Sequence, residues 1–171
     1  MKIHKSNGLL PIVIFLVALG CNNNEQTMSS QEMETEATRQ ILTLHELQKN
    51  DHFEKKAEEF VALLSDDYIS VDRGTVSGID RQAYIDRFQN YFDSVEFEKW
   101  DDINPPIIQF SDDFSMAYTI VNKEVIVKYE EEDGTLQRDK TIFSWVAIYR
   151  KHQGEWKIDC VASTNKPGEK I

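Results

Sequence analysis

Residues 115–163 read SMAYTIVNKEVIVKYEEEDGTLQRDKTIFSWVAIYRKHQGEWKIDCVAS, and this stretch decides the fold. It contains three runs rich in β-branched and aromatic residues: Ser115–Tyr129, Thr141–Arg150 and Trp156–Ser163. The gaps between them, Glu130–Gly134 and Lys151–Gly154, are short and polar and end in glycine, which is typical of hairpin connections. The sequence therefore predicts three long antiparallel strands joined by hairpins.

The first of these strands is unusually long. At about 3.3 Å per residue it would span roughly 50 Å, far more than a typical strand of five or six residues. A strand of that length must coil or bend. We therefore expect a strongly curved sheet whose concave side is filled by other parts of the chain.

Amphipathic helices precede the strands. Ser29 and Glu32 have the spacing of a capping box, which predicts a helix start. That helix is expected to end at Asn50 and to carry one apolar face, formed by Met33, Ala37, Ile41, Leu44 and Leu47. Asp51 and Glu54 are expected to begin a second helix, with Phe53, Ala57, Phe60, Val61 and Leu64 as its apolar side chains.

A third helix is predicted after Asp80, over residues 81–92, with Tyr84, Ile85, Phe88 and Phe92 facing inward. Shorter strands are predicted at Tyr68–Val71, Val95–Ile103 and Ile107–Phe110. Helices gathered early and strands gathered late indicate an α+β fold, with about three N-terminal helices packed on one face of a curved antiparallel sheet.

The N-terminus has the features of an export signal. Lys2 and Lys5 precede an apolar run over 9–19 that is too short for a comfortable membrane span. The run ends at Gly20-Cys21 and resembles a bacterial lipoprotein signal, in which the cysteine is lipidated. This resemblance implies a signal peptide at 1–20, lipidation of Cys21 and a flexible polar tether over 21–30. Asn22 favours sorting to the outer membrane by the same resemblance. The alternative is an ordinary secretory signal with an incidental Cys21.

Charge and cysteine content narrow the function. Nucleic-acid-binding proteins carry clustered lysines and arginines, so a formal net charge of −11 argues against this class of function. It also predicts repulsion from anionic headgroups, so we expect lipid on Cys21 to hold the protein at the cell envelope. With Cys21 lipidated, Cys160 stands alone, so neither an intramolecular disulfide nor a cysteine-rich zinc site is expected. No metal site and no cofactor are predicted.

The layout resembles the nuclear transport factor 2-like superfamily, more closely its SnoaL-like branch. The resemblance rests on residues 60–68, Gly74, residues 77–80 and Gly154–Ile158, and the predicted domain covers 31–166, with a tail at 167–171. It implies a cone-shaped pocket between sheet and helices, often in homodimers. Many SnoaL-like relatives place histidines four and six residues after the position of Trp156. Here these positions hold Cys160 and Ala162, which lowers the expectation of an enzyme.

Six residues are candidates for the predicted pocket. The alternation of the closing strand places Cys160 on the face of Trp156, Ile158 and Ala162, where it is a nucleophile or, more commonly, a small buried side chain. The alternation of the first long strand leaves open which of its faces is inward; if the face of Asn122 is inward, Asn122 and Glu124 would orient a ligand. The other candidates are aromatic residues on predicted strands, Tyr68, Trp100 and Trp145.

Three functions are consistent with these features. The leading hypothesis is a lipid-anchored envelope domain that binds a small apolar ligand or a partner protein without catalysis. The second is a cofactor-independent isomerase, dehydratase or hydrolase that uses a pocket carboxylate such as Glu124 as its base. The third is a homodimerising module that associates through the open face of the sheet.

Overall fold

The structure of the protein is a computed structural model that describes residues 28–171. The predicted signal peptide, Cys21 and most of the predicted tether lie outside the described residues. Among residues 28–171, no helix is both long and apolar enough to cross a membrane.

The described part of the chain has three helices: α1 (Ser30–Phe53) and α2 (Ala57–Ala62) come before the first strand, and α3 (Arg81–Ser94) follows the second. The predicted capping box is present, because the Ser29 hydroxyl accepts a hydrogen bond from the Glu32 amide and the Glu32 carboxylate accepts one from the Ser29 amide. Asp80 caps α3 by accepting a hydrogen bond from the Ala83 amide at 3.1 Å. Two of the three predicted helix starts, at Ser29 and Asp80, are therefore confirmed.

The predicted boundary between the first two helices is wrong. Helix α1 continues through Asn50 and Asp51, and α2 begins only at Ala57. The break lies at Lys55, whose φ of 59° is left-handed and cannot continue a right-handed helix. The C-terminal end of α2 also comes early, since Leu64 already belongs to a strand.

Within residues 28–171, eight strands form one sheet: β1 (Leu64–Asp72), β2 (Thr75–Gly78), β3 (Glu96–Asp102), β4 (Ile107–Phe110), β5 (Met116–Glu130), β6 (Leu136–His152), β7 (Glu155–Asn165) and β8 (Glu169–Lys170). The main order is β2-β1-β7-β6-β5-β3, with β4 also paired to β5 and β8 to β6. The pair β1–β7 is parallel, and the other pairs are antiparallel. The three long strands predicted from the sequence are β5, β6 and β7.

The helices cover one face of this curved, unclosed sheet. We call this the inner face and the opposite side the outer face. Strand β5 has a clear alternation, because its residues at 117, 119, 121, 123 and 125 are all buried on the inner face. The fold is therefore the predicted α+β arrangement of three helices against a curved antiparallel sheet.

Two apolar clusters fill the space between helices and sheet. The first joins all three helices to the centre of the sheet and includes Ile41, Val61, Tyr84, Tyr149 and Ile158. The second lies at the β3 side and consists of Ala57, Phe92, Phe97, Trp100 and Val125. Half-buried Ile85, Phe88 and Trp145 pack against both clusters, so one continuous apolar layer surrounds the inner face.

Candidate functional site

The six predicted pocket residues separate onto the two faces of the sheet. Asn122 and Glu124 lie on the outer face, because the residues between and beside them in β5 are the buried ones. Glu124 pairs with Lys99 there, with Oε1 and Nζ 2.6 Å apart. Asn122 donates a hydrogen bond to the Ser144 hydroxyl at 2.8 Å. Neither side chain faces the interior, so the conditional proposal that they orient a ligand in the cone does not hold.

Cys160 also faces outward, which corrects the predicted alternation of the closing strand. The register between β6 and β7 shifts, so that Ile148 pairs with Cys160 while Tyr149 pairs with Ile158. Asp159 is the extra residue of a β-bulge. After the bulge, the side chains of β7 that the simple alternation would place inward point outward. Trp156 and Ile158 are therefore inward, whereas Cys160 lies across from the outward Ile148.

The three aromatic candidates do lie in the interior. Tyr68 packs edge-on against Tyr84, with ring centroids 5.8 Å apart, and burial raises the pKa of Tyr68 to about 12. Trp100 is 6% exposed and lies against the half-buried Trp145, with ring centroids 6.0 Å apart. Tyr68, Trp100 and Trp145 are thus part of the core between helices and sheet. In a cone-shaped fold the same side chains can form the core and line a pocket.

A charged cluster absent from our sequence predictions lies beside Trp100. It consists of His45 from α1, Asp102 at the end of β3 and Lys123 from β5. His45 Nε2 lies 2.8 Å from Asp102 Oδ2, and Lys123 Nζ lies 2.8 Å from Asp102 Oδ1. Lys123 is only 2% exposed, and its ammonium lies 3.5 Å from the centre of the Trp100 ring. One carboxylate therefore holds both an imidazole and a buried ammonium group in place.

Burial sets the protonation of this cluster. It lowers the pKa of the His45 imidazole, and the positive charge of Lys123 lowers it further. Burial also lowers the pKa of Lys123, while the hydrogen bond to Asp102 acts in the opposite direction. Cation–π attraction from Trp100 adds to the stabilisation of the ammonium form. The favoured arrangement is an ionised Lys123–Asp102 pair next to a neutral imidazole.

The two nitrogens of His45 have different surroundings. Nε2 lies 2.8 Å from Asp102 Oδ2 and 3.5 Å from Lys123 Nζ. The shorter contact is the one to the anionic acceptor, so in the neutral ring Nε2 carries the proton and donates to Asp102. Nδ1 is then a hydrogen-bond acceptor. It is buried and has no hydrogen-bond partner among residues 28–171. A buried polar atom without a partner is uncommon in proteins and calls for a water molecule or a ligand group.

A second buried histidine, His52, lies about two turns further along α1. Its ring is surrounded by Phe60, Phe92, Phe97 and Trp100, with centroid distances between 4.7 and 5.3 Å. Its Nδ1 lies 2.6 Å from the Gln48 carbonyl oxygen and donates to it. Burial lowers the pKa of His52 to about 4. His52 is thus a buried imidazole enclosed by the aromatic side chains of the second apolar cluster and by Phe60.

The cluster of His45, Asp102 and Lys123 could take part in proton transfer. An imidazole oriented by a carboxylate can accept a proton from a group that approaches its free nitrogen. The neighbouring ammonium of Lys123 can stabilise negative charge that develops close by. The cluster contains three charged or titratable groups, and no three His, Cys, Asp or Glu side chains in the described part of the chain come together as metal ligands.

Comparison with solved structures identifies the fold. A candidate scytalone dehydratase from Novosphingobium aromaticivorans aligns with 81% of this chain and 90% of its own, at a TM-score of 0.66 and 14% identity. A nuclear transport factor 2-like protein from Cytophaga hutchinsonii aligns with 81% of this chain and 100% of its own, at a TM-score of 0.54 and 16% identity. The chain has the nuclear transport factor 2-like fold.

A hexachlorocyclohexane dehydrochlorinase has the same nuclear transport factor 2-like fold. It aligns with 83% of this chain and 93% of its own, at a TM-score of 0.64 and 12% identity. At such identities the likeness concerns the fold alone. No protein-family model and no curated protein matches the sequence.

Proposed function

We propose that this protein is a lipid-anchored cell-envelope domain that binds a small, largely apolar molecule between its helices and the inner face of its sheet. The single observation that carries the proposal is the buried Nδ1 of His45, which lacks a partner among the described residues. A ligand that donates one O–H or N–H group would satisfy this atom. Trp100 lies beside the His45 ring, with ring centroids 6.0 Å apart, and its aromatic surface suits an apolar body on the ligand.

The surroundings of the cluster support this choice of ligand. Phe143 and Trp145 are half-buried on the inner face of β6, in register with Lys123 and Val121 of β5. Partly accessible aromatic surface therefore lies one strand away from the charged cluster. Trp100 and Trp145 give that surface flat apolar walls. The polar base and apolar walls together suit a ligand such as a phenol.

We expect phenol to bind more tightly than toluene, which has the same shape but no O–H group. One hydrogen bond to His45 Nδ1 predicts a preference of about two- to tenfold. The preference should disappear in His45→Phe and persist in His152→Phe, where the replaced histidine lies in the β6–β7 hairpin. Calorimetric titration of the full-length protein in detergent measures both affinities. Absence of saturable binding, or an unchanged preference in His45→Phe, would contradict the proposal.

The same atoms favour one alternative activity, proton abstraction by a cofactor-independent enzyme. The earlier candidate base, Glu124, is outward and paired with Lys99, so the base in this alternative is His45 held by Asp102. Chemical conversion of a bound compound, lost in His45→Phe, would establish the enzyme. Unchanged compound recovered after prolonged incubation supports the binding role.

The proposed lipid anchor predicts where the protein is found in cells. Cys21→Ser is expected to move the protein from the membrane fraction to the soluble fraction, because acyl chains on Cys21 would be its hydrophobic attachment. Cys160→Ser is the matched control and should stay in the membrane fraction. Fractionation followed by mass spectrometry of the N-terminal peptide measures both effects. An unmodified N-terminal peptide would instead indicate an ordinary secretory signal.

A second candidate role, association through the outer face, is favoured by a row of apolar side chains. In-register partners cross six strands without interruption: Ile107, Ile120, Val146, Ala162, Val71 and Val76. Five strand spacings make this row about 24 Å wide. A neighbouring row contains Tyr118, Ile148, Cys160 and Ile69. Exposed apolar patches of this kind mark protein–protein contacts, and a second copy would present a self-complementary face.

We expect the full-length protein to sediment as a dimer and Val146→Lys to weaken the dimer by about 30-fold or more, because a charge would be buried at the centre of the contact. Leu136→Lys is the matched control, since Leu136 is 61% exposed but lies outside both rows. Analytical ultracentrifugation over a range of concentrations measures the dissociation constants. Equal effects of the two lysines would count against this surface.

A further inference from the structure

A separate cavity of about 420 Å³ opens where the end of α2 meets the start of α3 and the β6–β7 hairpin. It is distinct from the His45 cluster, and its lining includes Arg81, His152 and Lys157. Three basic side chains around one cavity are notable in a chain with a formal net charge of −11. Each of them is held by a different contact.

Backbone carbonyl oxygens position Lys157 and, together with the Asp66 carboxylate at 2.7 Å, Arg81. Arg81 donates to the Val61 and Leu64 carbonyls at 3.0 and 3.4 Å, and Lys157 donates to the Ala62 carbonyl at 3.0 Å. A neutral acceptor fixes a cation without cancelling its charge. Lys157 has no carboxylate partner in the part of the chain that the structure describes.

These contacts leave donor capacity unused. An arginine has five N–H donors and a lysine has three. Arg81 uses its guanidinium on the two carbonyls and on Asp66, whose side chain is 96% exposed. Lys157 makes one hydrogen bond. Capping the C-terminal end of α2 therefore explains the position of the two cations but not their remaining donors.

His152 is fixed from the opposite side of the cavity. Its Nε2 lies 2.7 Å from Oδ1 of the buried Asp159 carboxylate, which also pairs with Arg150. This pairing holds the imidazole in one orientation, while the side chain stays 36% exposed. His152 is therefore a rigid and accessible part of the cavity wall.

The cavity also contains a buried hydroxyl group. Ser65 is 3% exposed and lines the cavity, and its hydroxyl acts on the buried Asp159 carboxylate, whose pKa it helps to lower. The donors still available to a ligand are therefore those of Lys157 and Arg81. Cations with spare donors at the wall of a cavity suit a small anionic group.

From this geometry we infer a binding site for a small carboxylate, held by Lys157 and Arg81. The carboxylate can come from a simple organic acid or from an amino acid. Glu155 lines the same cavity and has no cation partner among the described residues. An amino acid would place its ammonium group near this carboxylate, whereas a simple acid would not use it.

Propionate and alanine test the site, because they have similar shapes and differ in the ammonium group. We expect saturable propionate binding to the full-length protein in detergent, measured by saturation-transfer NMR titration at fixed ionic strength. Loss of one charge-assisted hydrogen bond predicts that Lys157→Met weakens propionate binding about tenfold or more. Lys157→Arg keeps the charge and should bind propionate nearly as well as the unmodified protein.

Lys151→Met is the matched control, since Lys151 lies in the same hairpin and its ammonium is positioned over the Trp156 ring, outside the cavity lining. It should bind propionate normally. Far-UV circular dichroism confirms that each variant is folded. Tighter binding of alanine than of propionate assigns an amino-acid ligand, and the reverse order assigns a simple acid. No saturable binding of either compound, or equal weakening by Lys157→Met and Lys151→Met, would overturn the inference.

Discussion

Replacing Asp102 by alanine is expected to lower the free energy of unfolding by about 3–5 kcal/mol. The side chain of Lys123 is 2% exposed, and its ammonium lies 2.8 Å from the Asp102 carboxylate. Without that carboxylate the interior would contain an uncompensated positive charge, and His45 would lose its hydrogen-bond acceptor as well. Urea denaturation at neutral pH measures the change.

The neighbouring residue provides a matched control. Asp101 pairs with Lys49 at 2.9 Å, but its side chain is 48% exposed. Solvent screens such a pair, so Asp101→Ala is expected to cost at most about 1 kcal/mol. The double variant Asp102→Ala with Lys123→Met should recover much of the lost stability, because it removes the unpaired charge. Similar losses in Asp101→Ala and Asp102→Ala would contradict the buried ion pair.

Acidification from pH 6.5 to 4 is expected to lower the free energy of unfolding by about 3 kcal/mol through His52 alone. The pKa of His52 is lowered from 6.5 to about 4 in the folded protein. Above pH 6.5 the imidazole is neutral in both states, and its contribution to stability is complete. Between pH 6.5 and 4 only the unfolded state binds the proton, so stability falls with pH. Below pH 4 both states are protonated and the loss ends.

His52→Gln tests this pH dependence, because glutamine does not titrate. The variant should be less stable at neutral pH, since it disturbs the aromatic packing around His52, but its stability should fall less between pH 6.5 and 4. His45 contributes in the same direction, because its pKa is also lowered, and it remains in the variant. Urea denaturation across this range measures both slopes. Identical slopes in the two proteins would show that His52 is not the titrating group.

The sequence predicted the fold well where local signals agreed with one another. The three long strands have continuous β-branched and aromatic patterns and hairpin connections that end in glycine, and both helix caps have their expected partners. The boundary after α1 was missed, because Asp51 has the chemistry of a cap but lies within a helix that is stabilised by packing. The left-handed turn at Lys55 has no distinctive local signal.

The site was harder to predict, since it depends on which face of β5 is inward. Lys123 lies on the same face of β5 as Thr119, Val121 and Val125. A lysine on such a face usually indicates solvent exposure, so the pattern did not identify this face as the inner one. Asp102 resembled part of a solvated acidic run, and His45 lies 78 positions from Lys123 in the chain. Only the pairing of β3 with β5 and the packing of α1 bring the three together. The bulge near Asp159, which moved Cys160 outward, has no glycine to mark it.

The order of strands also has a consequence for how the chain folds. Strand β7 follows β1–β6 in the chain, yet it lies between β1 and β6, with β1 aligned parallel to it. The β1–β2 pair therefore has no connection to the other strands of the main sheet until residues 155–165 are available. Pairings this distant in sequence close large loops and make folding slow. A chain that lacks residues 155–165 would therefore leave β1 and β2 detached from the rest of the sheet.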